Sequence, residues 1–201
     1  MNFLVIDSST DIILLFIKTK NKAFSKVLQS HKLNSDLLMK HILDFFIANN
    51  LDLSLISRIF VNQGPGNFSG LRGSIAVAKG ISIAKKIDLF GYNTFLLSVV
   101  KFYNKKDFIF SLIKCKEKYF IKKFDRNLND LSGFKIASEE TIMKKYKNNL
   151  IVIPKHGIEK FNKRILKLNN LNIVDLDPNM LEFLEHKNLL DKELIKPLYL
   201  S

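Results

Sequence analysis

Short apolar runs with tight polar links open the chain. FLVID at 3–7, DIILLFIK at 11–18 and KAFSKVLQ at 22–29 are rich in β-branched and aromatic residues, and the third alternates with period two. The links, SST and TKN, are short enough to predict an antiparallel meander. The period then changes. Leu37, Leu38, His41, Ile42, Phe45 and Phe46 fall at helical spacing, with Asn34 or Ser35 placed to cap the start and Asn49-Asn50 to end it. RIFVN at 58–62 reads as a buried strand, Leu71 to Lys86 as a second helix, IDLFGY at 87–92 as a strand and TFLLSVVKFY at 94–103 as a helix. A meander continued by parallel strands through crossover helices is the order of a ribonuclease H-like unit.

The second half is more compressed. DFIFSLIK at 107–114 and EKYFIKKF at 117–124 read as a hairpin. Ser138, Glu139 and Glu140 start a helix that ends in Lys144, Lys145 and Lys147, a charge order that suits the helix dipole at both ends. Strands at 150–154 and 172–176 and helices at 158–169 and 178–187 complete the pattern. Topology rather than composition draws a boundary between lobes at 1–103 and 104–201.

Composition narrows the class. The 201 residues are 47 % apolar, and 17 phenylalanines without a tryptophan supply bulk for a core. No run approaches the roughly 18 apolar residues of a membrane helix, and MNFLVIDSST lacks the features of a leader, so a cytoplasmic protein without a membrane partner is expected. The lone Cys115 has no second thiol or histidine cluster near it in sequence, so neither a disulfide nor a metal site is expected. The 32 basic and 19 acidic residues give +13, which raises a nucleic-acid partner. Only four of the basic residues are arginines, and lysine, asparagine, isoleucine and phenylalanine are abundant together, as AT-biased coding produces. Residues 1–100 carry +5 and residues 101–201 carry +8, so most of the charge is read as solvated lysine, with weak RNA attraction second.

The segment NQGPGNFSGLR at 62–72 asks whether a phosphate is held there. After Gly70 come Leu71 and Arg72 rather than the lysine and hydroxyl of a Walker loop. The glycines of GPGNFSG stand at the first, third and seventh positions, where a dinucleotide fingerprint needs first, third and sixth. Gly64, Pro65, Gly66 and Gly70 are read as a structural turn, with Ser69 as N-cap. Asn67, Ser69 and the free amides of the next helix leave an anion site open. In that helix Gly73, Ala76, Val77, Gly80 and Ala84 form a stripe nearly bare of side chains. A glycine inside a helix costs about 0.5 to 1 kcal/mol relative to alanine, and close approach of another helix offsets it. Spacing does not say whether that neighbour belongs to this chain or another.

FLVIDSST, His31 just before the first helix, GPGNFSGLRGSIAVAKGIS and the closing PLYL together resemble the TsaB (YeaZ) family, well over residues 1–100 and beyond that through PLYL alone. The resemblance implies an α/β fold of the ASKHA or actin-like kind, built of two ribonuclease H-like lobes with the second reduced. It implies a non-catalytic subunit that pairs with TsaD in making N6-threonylcarbamoyladenosine in tRNA. TsaE and ATP would join the larger complex, a homodimer would form when TsaD is absent, and tRNA would be reached only indirectly. The chain would hold no cofactor of its own, with a nucleotide at the TsaD interface. The helices at about 34–49 and 70–86 would form the interface, through Leu38, Ile42, Phe45 and Phe46 on one and Gly73, Ala76, Val77, Gly80 and Ala84 on the other. Asp7 would stand where the superfamily holds a phosphate, making Asp7, Ser8, Ser9, Asn67 and Ser69 a vestigial nucleotide or anion site, although no glycine follows Asp7. The second lobe lacks an Asp-Gly hairpin, and none of the four histidines has another at i+4, as the TsaD metal pair would need.

Two other classes compete. One is an ASKHA-type phosphotransferase or hydrolase using Asp7 and Ser69; the other is a direct RNA-binding module.

Overall fold

The computed structural model describes residues 1–29, 37–115 and 117–199. Asn34 and Ser35, the expected caps, together with His31 and Leu200, lie outside them. The chain divides into two units, Met1–Asn93 with Leu181–Ser201, and Thr94–Met180.

In unit 1 the expected meander forms as β1 (Phe3–Asp7), β2 (Ile12–Lys18) and β3 (Ala23–Gln29). β4 (Arg58–Asn62) then pairs parallel to β1, and β5 (Asp88–Tyr92) parallel to β4, giving the order β3-β2-β1-β4-β5. Strand alternation sorts the side chains. Leu4, Ile6, Leu15, Ile17, Ile59 and Val61 turn to one face, where α1 (Leu38–Ala48) and α2 (Phe68–Lys85) pack on them. Phe3, Phe16, Phe60 and Phe90 turn to the other and form a chain of ring contacts, with Phe3 and Phe60 edge to face at 5.1 Å.

That aromatic face explains the allegiance of the C-terminal segment. The register sets Lys18 and Arg58 opposite Phe3, hence on its face, and α6 (Met180–His186) pairs Glu182 with Lys18 and Glu185 with Arg58. Leu181 and Leu184 of α6 are fully buried. Beyond α6 the chain stays on unit 1. Asp191 and Gly91 exchange backbone hydrogen bonds, Gln63 Nε2 donates to the Lys196 carbonyl, and the Leu198 N–H donates to the Gln63 carbonyl. Residues 181–199 are therefore part of the first fold, and the division falls at 93/94 rather than at 103/104.

Unit 2 repeats the same strand order with its own residues. β6 (Phe108–Cys115), β7 (Lys118–Asp125) and β8 (Asp130–Ala137) form a meander, β9 (Leu150–Pro154) runs parallel to β6, and β10 (Leu171–Val174) runs parallel to β9. The pair of units is the ASKHA-type α/β architecture expected, and the reduction of the second lies in its helices, since its sheet keeps five strands. α4 (Glu139–Lys145) and α5 (Lys163–Leu166) cover one face through Ile142 and Ile165. α3 (Thr94–Val99) is buried along its length and covers the other, where Ser98 and Ser111 share a buried hydrogen bond of 2.7 Å. The helix expected over 158–169 is broken. A 3₁₀ turn spans Ile158–Lys160, and Asn162 caps the four-residue α5 by accepting from the Arg164 N–H.

A fragment ending at residue 103 would leave the Phe3–Phe60–Phe90 face without α6. We expect it to aggregate or remain unfolded by circular dichroism and size exclusion, and joining residues 181–199 to it through a flexible linker to restore cooperative melting. Cooperative folding of the shorter fragment would show that α6 is dispensable.

Candidate functional site

The carboxyl ends of the parallel strands β1, β4 and β5 meet at Asp7. One carboxylate oxygen accepts from the Ser9 N–H at 2.9 Å; the other accepts from Asn62 Nδ2 at 2.8 Å and from the Tyr92 hydroxyl at 3.2 Å. Asn62 also reaches Ser9 Oγ at 3.3 Å, and its own oxygen accepts from the Gly64 N–H. Burial, and then the charge of Asp7 and the bond to it, push the Tyr92 phenol well above its ordinary range, so the ring stays neutral and keeps donating. Ser8 and Ser9 are buried, and Ser8 Oγ has no hydrogen-bond partner among the described residues.

The glycine loop lies directly on this cluster. A Cβ on Gly66 would collide with the Ser9 carbonyl, and one on Gly70 with the Ser8 carbonyl. The Asn67 N–H donates to the Ser9 carbonyl at 2.8 Å, closing the contact. Two glycines are needed because one backbone rests on another. Gly64, joined to Pro65 by a cis bond, takes φ +111°. Asn67 rather than Ser69 is the N-cap of α2, accepting from the Gly70 N–H, so α2 starts at Phe68, three residues earlier than its apolar pattern indicates; Ser69 is exposed in the first turn. Of the expected anion-site residues, Asp7, Ser9 and Asn67 are thus tied into one hydrogen-bonded cluster, and Ser69 is outside it.

The C-terminal segment completes the loop's setting. Tyr199 stacks on Phe68 at 5.1 Å between ring centres, the Arg72 guanidinium lies 4.0 Å over the Phe68 ring, and Arg72 Nε donates to the Tyr199 hydroxyl at 2.8 Å. Asn62, Tyr92, Gln63 and Tyr199 were not among the expected site residues. Each sits at a strand or chain end, and no local pattern marks such partners.

The expected interface divides in two. Leu38, Ile42, Phe45 and Phe46 are all buried in unit 1's own core, so the apolar face of α1 is its internal packing face and not a partner face. The small-residue stripe of α2 is different. Ala76, Gly80 and Ala84 are exposed and Gly73 and Val77 half-buried, whereas Leu71, Ser74, Ile75, Ala78 and Ile81 face the core. A Cβ at Gly80 would find nothing within 4 Å among the described residues. Large apolar side chains beyond the expected set are exposed on the same two helices: Ile83 of α2 is 80 % exposed, and Ile47 and Leu43 of α1 are 72 % and 42 % exposed. Their signal was present in sequence as isoleucine and leucine off the main apolar stripe. Among the described residues no three of His, Cys, Asp and Glu come together as a metal site, and no helix is long and apolar enough to cross a membrane.

Two outcomes follow. Phe46→Ala should cost about 3–5 kcal/mol in denaturant unfolding, as for a core phenylalanine, where a surface residue would cost little. The raised Tyr92 phenol means that the unfolded chain releases this proton near pH 10 and the folded chain only above it, so stability is full below pH 10 and falls as pH rises. Tyr92→Phe should remove that part of the alkaline loss in melts taken from pH 8 to 11; an unchanged slope would refute the role.

Comparison with known proteins agrees with this architecture. The family model for TsaD, tRNA N6-adenosine threonylcarbamoyltransferase, matches residues 28–109, less than half of the chain. The chain is 25 % identical over 175 residues to the tRNA threonylcarbamoyladenosine biosynthesis protein TsaB of Buchnera aphidicola subsp. Baizongia pistaciae, covering 82 % of this chain and 79 % of that one. A match to TsaB of the Schizaphis graminum subspecies is 26 % identical and spans 51 % of this chain and about half, 49 %, of that relative. In fold, YeaZ from Pseudomonas aeruginosa superposes with a TM-score of 0.71 at 15 % identity over 99 % of both chains. The relatives in sequence are TsaB and the end-to-end match in fold is YeaZ, so the family that this chain resembles is TsaB/YeaZ, as its own glycine loop indicates.

Proposed function

We propose that the chain is a non-catalytic subunit of the tRNA threonylcarbamoyladenosine system, working in the cytoplasm, and that it docks TsaD through the outer surface of α1 and α2. The names of its sequence relatives supply the pathway. The observation that carries the docking reading is Gly80: its backbone is ordinary α-helix, and no neighbouring atom of the described residues needs the missing side chain. A helix-interior glycine costs about 0.5 to 1 kcal/mol relative to alanine, and nothing among the described residues of unit 1 offsets it. On the same face of α2 stands Ile83, and on α1 Ile47 and Leu43 also hold their apolar surface in water. A second helix seated against Gly80 would recover both costs, through close backbone approach and apolar burial.

Docking would act on TsaD by population shift, favouring its competent arrangement. TsaE and ATP belong to the larger assembly in this proposal, with a nucleotide at the shared surface, and a second copy of the chain would take the same face when TsaD is absent. The state of Asp7 supports the non-catalytic part of the reading. Its oxygens accept three hydrogen bonds from the protein, and the glycines that would let a backbone approach a phosphate already rest on Ser8 and Ser9. The enzyme rival would be favoured by ATP turnover of about 1 per second or more that Asp7→Asn abolishes.

Gly80→Leu and Ile83→Asp should each leave the melting curve of the isolated chain nearly unchanged and weaken pairing with TsaD from the same organism by about tenfold or more. Light scattering or calorimetry of the mixture reads this. If both variants pair as tightly as the unaltered chain, α2 does not carry the interface; if they unfold instead, the stripe is core.

A further inference from the structure

We propose that unit 2 holds a binding site for unpaired RNA nucleotides, at the cavity where the amino ends of β6, β9 and β10 meet. The cavity measures about 380 Å³, and its walls include Lys106, Asp107, Phe108, Asn148, Asn149 and Asn172. Phe108 opens β6 with 49 % of its surface exposed, and the Lys123 ammonium sits 3.7 Å from the centre of its ring. A half-exposed phenylalanine costs apolar burial, and a base stacked on it recovers that cost, sequence-tolerantly because every base has a π-face.

The polar lining suits the rest of a nucleotide. The side-chain amides of Asn148, Asn149 and Asn172 make no hydrogen bond within the described residues, leaving three donor and acceptor pairs for base edges. Asn170 keeps that wall in place, its amide donating to the Tyr146 and Asn149 carbonyls. Lys105 and Lys106 are exposed and form no ion pair among the described residues; Asp107 is the one acid among the cavity's lining residues.

Charge over the whole unit points the same way. Once the chain is divided as it folds, Thr94–Met180 carries 18 basic and 9 acidic residues, +9, and the rest carries 14 and 10, +4. The 87 residues of unit 2 thus hold +9 of the total +13. Lys106 in the cavity wall and Lys123 over the Phe108 ring set cations beside an aromatic platform and free amides, the chemistry of single-strand binding, in which lysines hold phosphates while rings hold bases.

The test needs no partner protein. With the isolated full chain, fluorescence anisotropy compares a labelled unstructured RNA oligonucleotide with a labelled duplex of the same sequence. The single strand should bind more tightly, Phe108→Ala should weaken it about tenfold, and Phe108→Tyr should retain binding. The chain has no tryptophan, so Phe108→Trp adds a single emitter whose fluorescence should be quenched by the oligonucleotide. Lys105→Gln with Lys106→Gln should lower the slope of log affinity against log salt by about 0.7 per lysine. Equal binding of strand and duplex, wild-type affinity in Phe108→Ala, or an unquenched Phe108→Trp would overturn the site. Because Phe108→Trp reports stacking directly, misfolding of the alanine variant leaves the test decisive. Pairing with TsaD through α1 and α2 is read separately, and its failure leaves this result standing.

Discussion

The Asp7 carboxylate fixes the geometry on which the rest of unit 1 depends. It gathers the ends of three strands, through the Ser9 amide after β1, Asn62 at the end of β4 and Tyr92 at the end of β5. A carboxylate hydrogen-bonded this way sets the path of residues 8–10, and that path is the floor on which Gly66 and Gly70 rest. The first turn of α2 is thereby fixed in position and in rotation about its axis. The carboxyl ends of parallel strands are where α/β sheets ordinarily receive ligands. Here Asp7, Ser9, Asn62 and Tyr92 at those ends are directed at one another.

Rotation about the axis decides what α2 presents. With Leu71, Ile75, Ala78 and Ile81 turned inward, Ala76, Gly80 and Ile83 turn outward. A helix of 18 residues with both an internal apolar face and an external small-residue ridge lacks the single polar exterior of a surface helix. The C-terminal segment reinforces the setting, since Tyr199 and Arg72 close over Phe68 at the helix start. The glycine loop and the closing PLY, far apart in sequence, meet where Tyr199 and Arg72 close over Phe68.

The meander, both parallel strands of unit 1 and the positions of its two long helices were legible because alternation and helical spacing are local signals. The inside of α1 was legible as apolar, yet Ile42, Phe45 and Phe46 were assigned to a partner when they pack on their own sheet; periodicity identifies a buried face without naming what buries it. β8 escaped notice because DLSGFKIA is exposed along most of an edge strand, contains Gly133 at φ +61°, and so has no period-two burial to display. Without β8 the second half looked shortened. α6 was found as a helix but placed with the wrong unit, since its ties, Glu182 to Lys18 and Glu185 to Arg58, span more than a hundred residues. In the site, a Cβ on Gly66 or Gly70 would meet the Ser9 or Ser8 carbonyl, whereas nothing beside Asn62 and Tyr92 in sequence marks either as a partner for Asp7.

The two units share a strand order and differ in what their surfaces offer. Unit 1 exposes isoleucine and glycine on a helix and carries +4; unit 2 exposes an aromatic and amides beside Lys106 and Lys123 and carries +9. These surfaces obey different physics. Contacts made by apolar burial are insensitive to modest salt, whereas contacts made by lysines on phosphate weaken steeply as salt rises and counterion release loses its entropy. A chain that met one partner through each surface would therefore hold the two by separable free energies, and ionic strength would release the charged one while leaving the apolar one engaged.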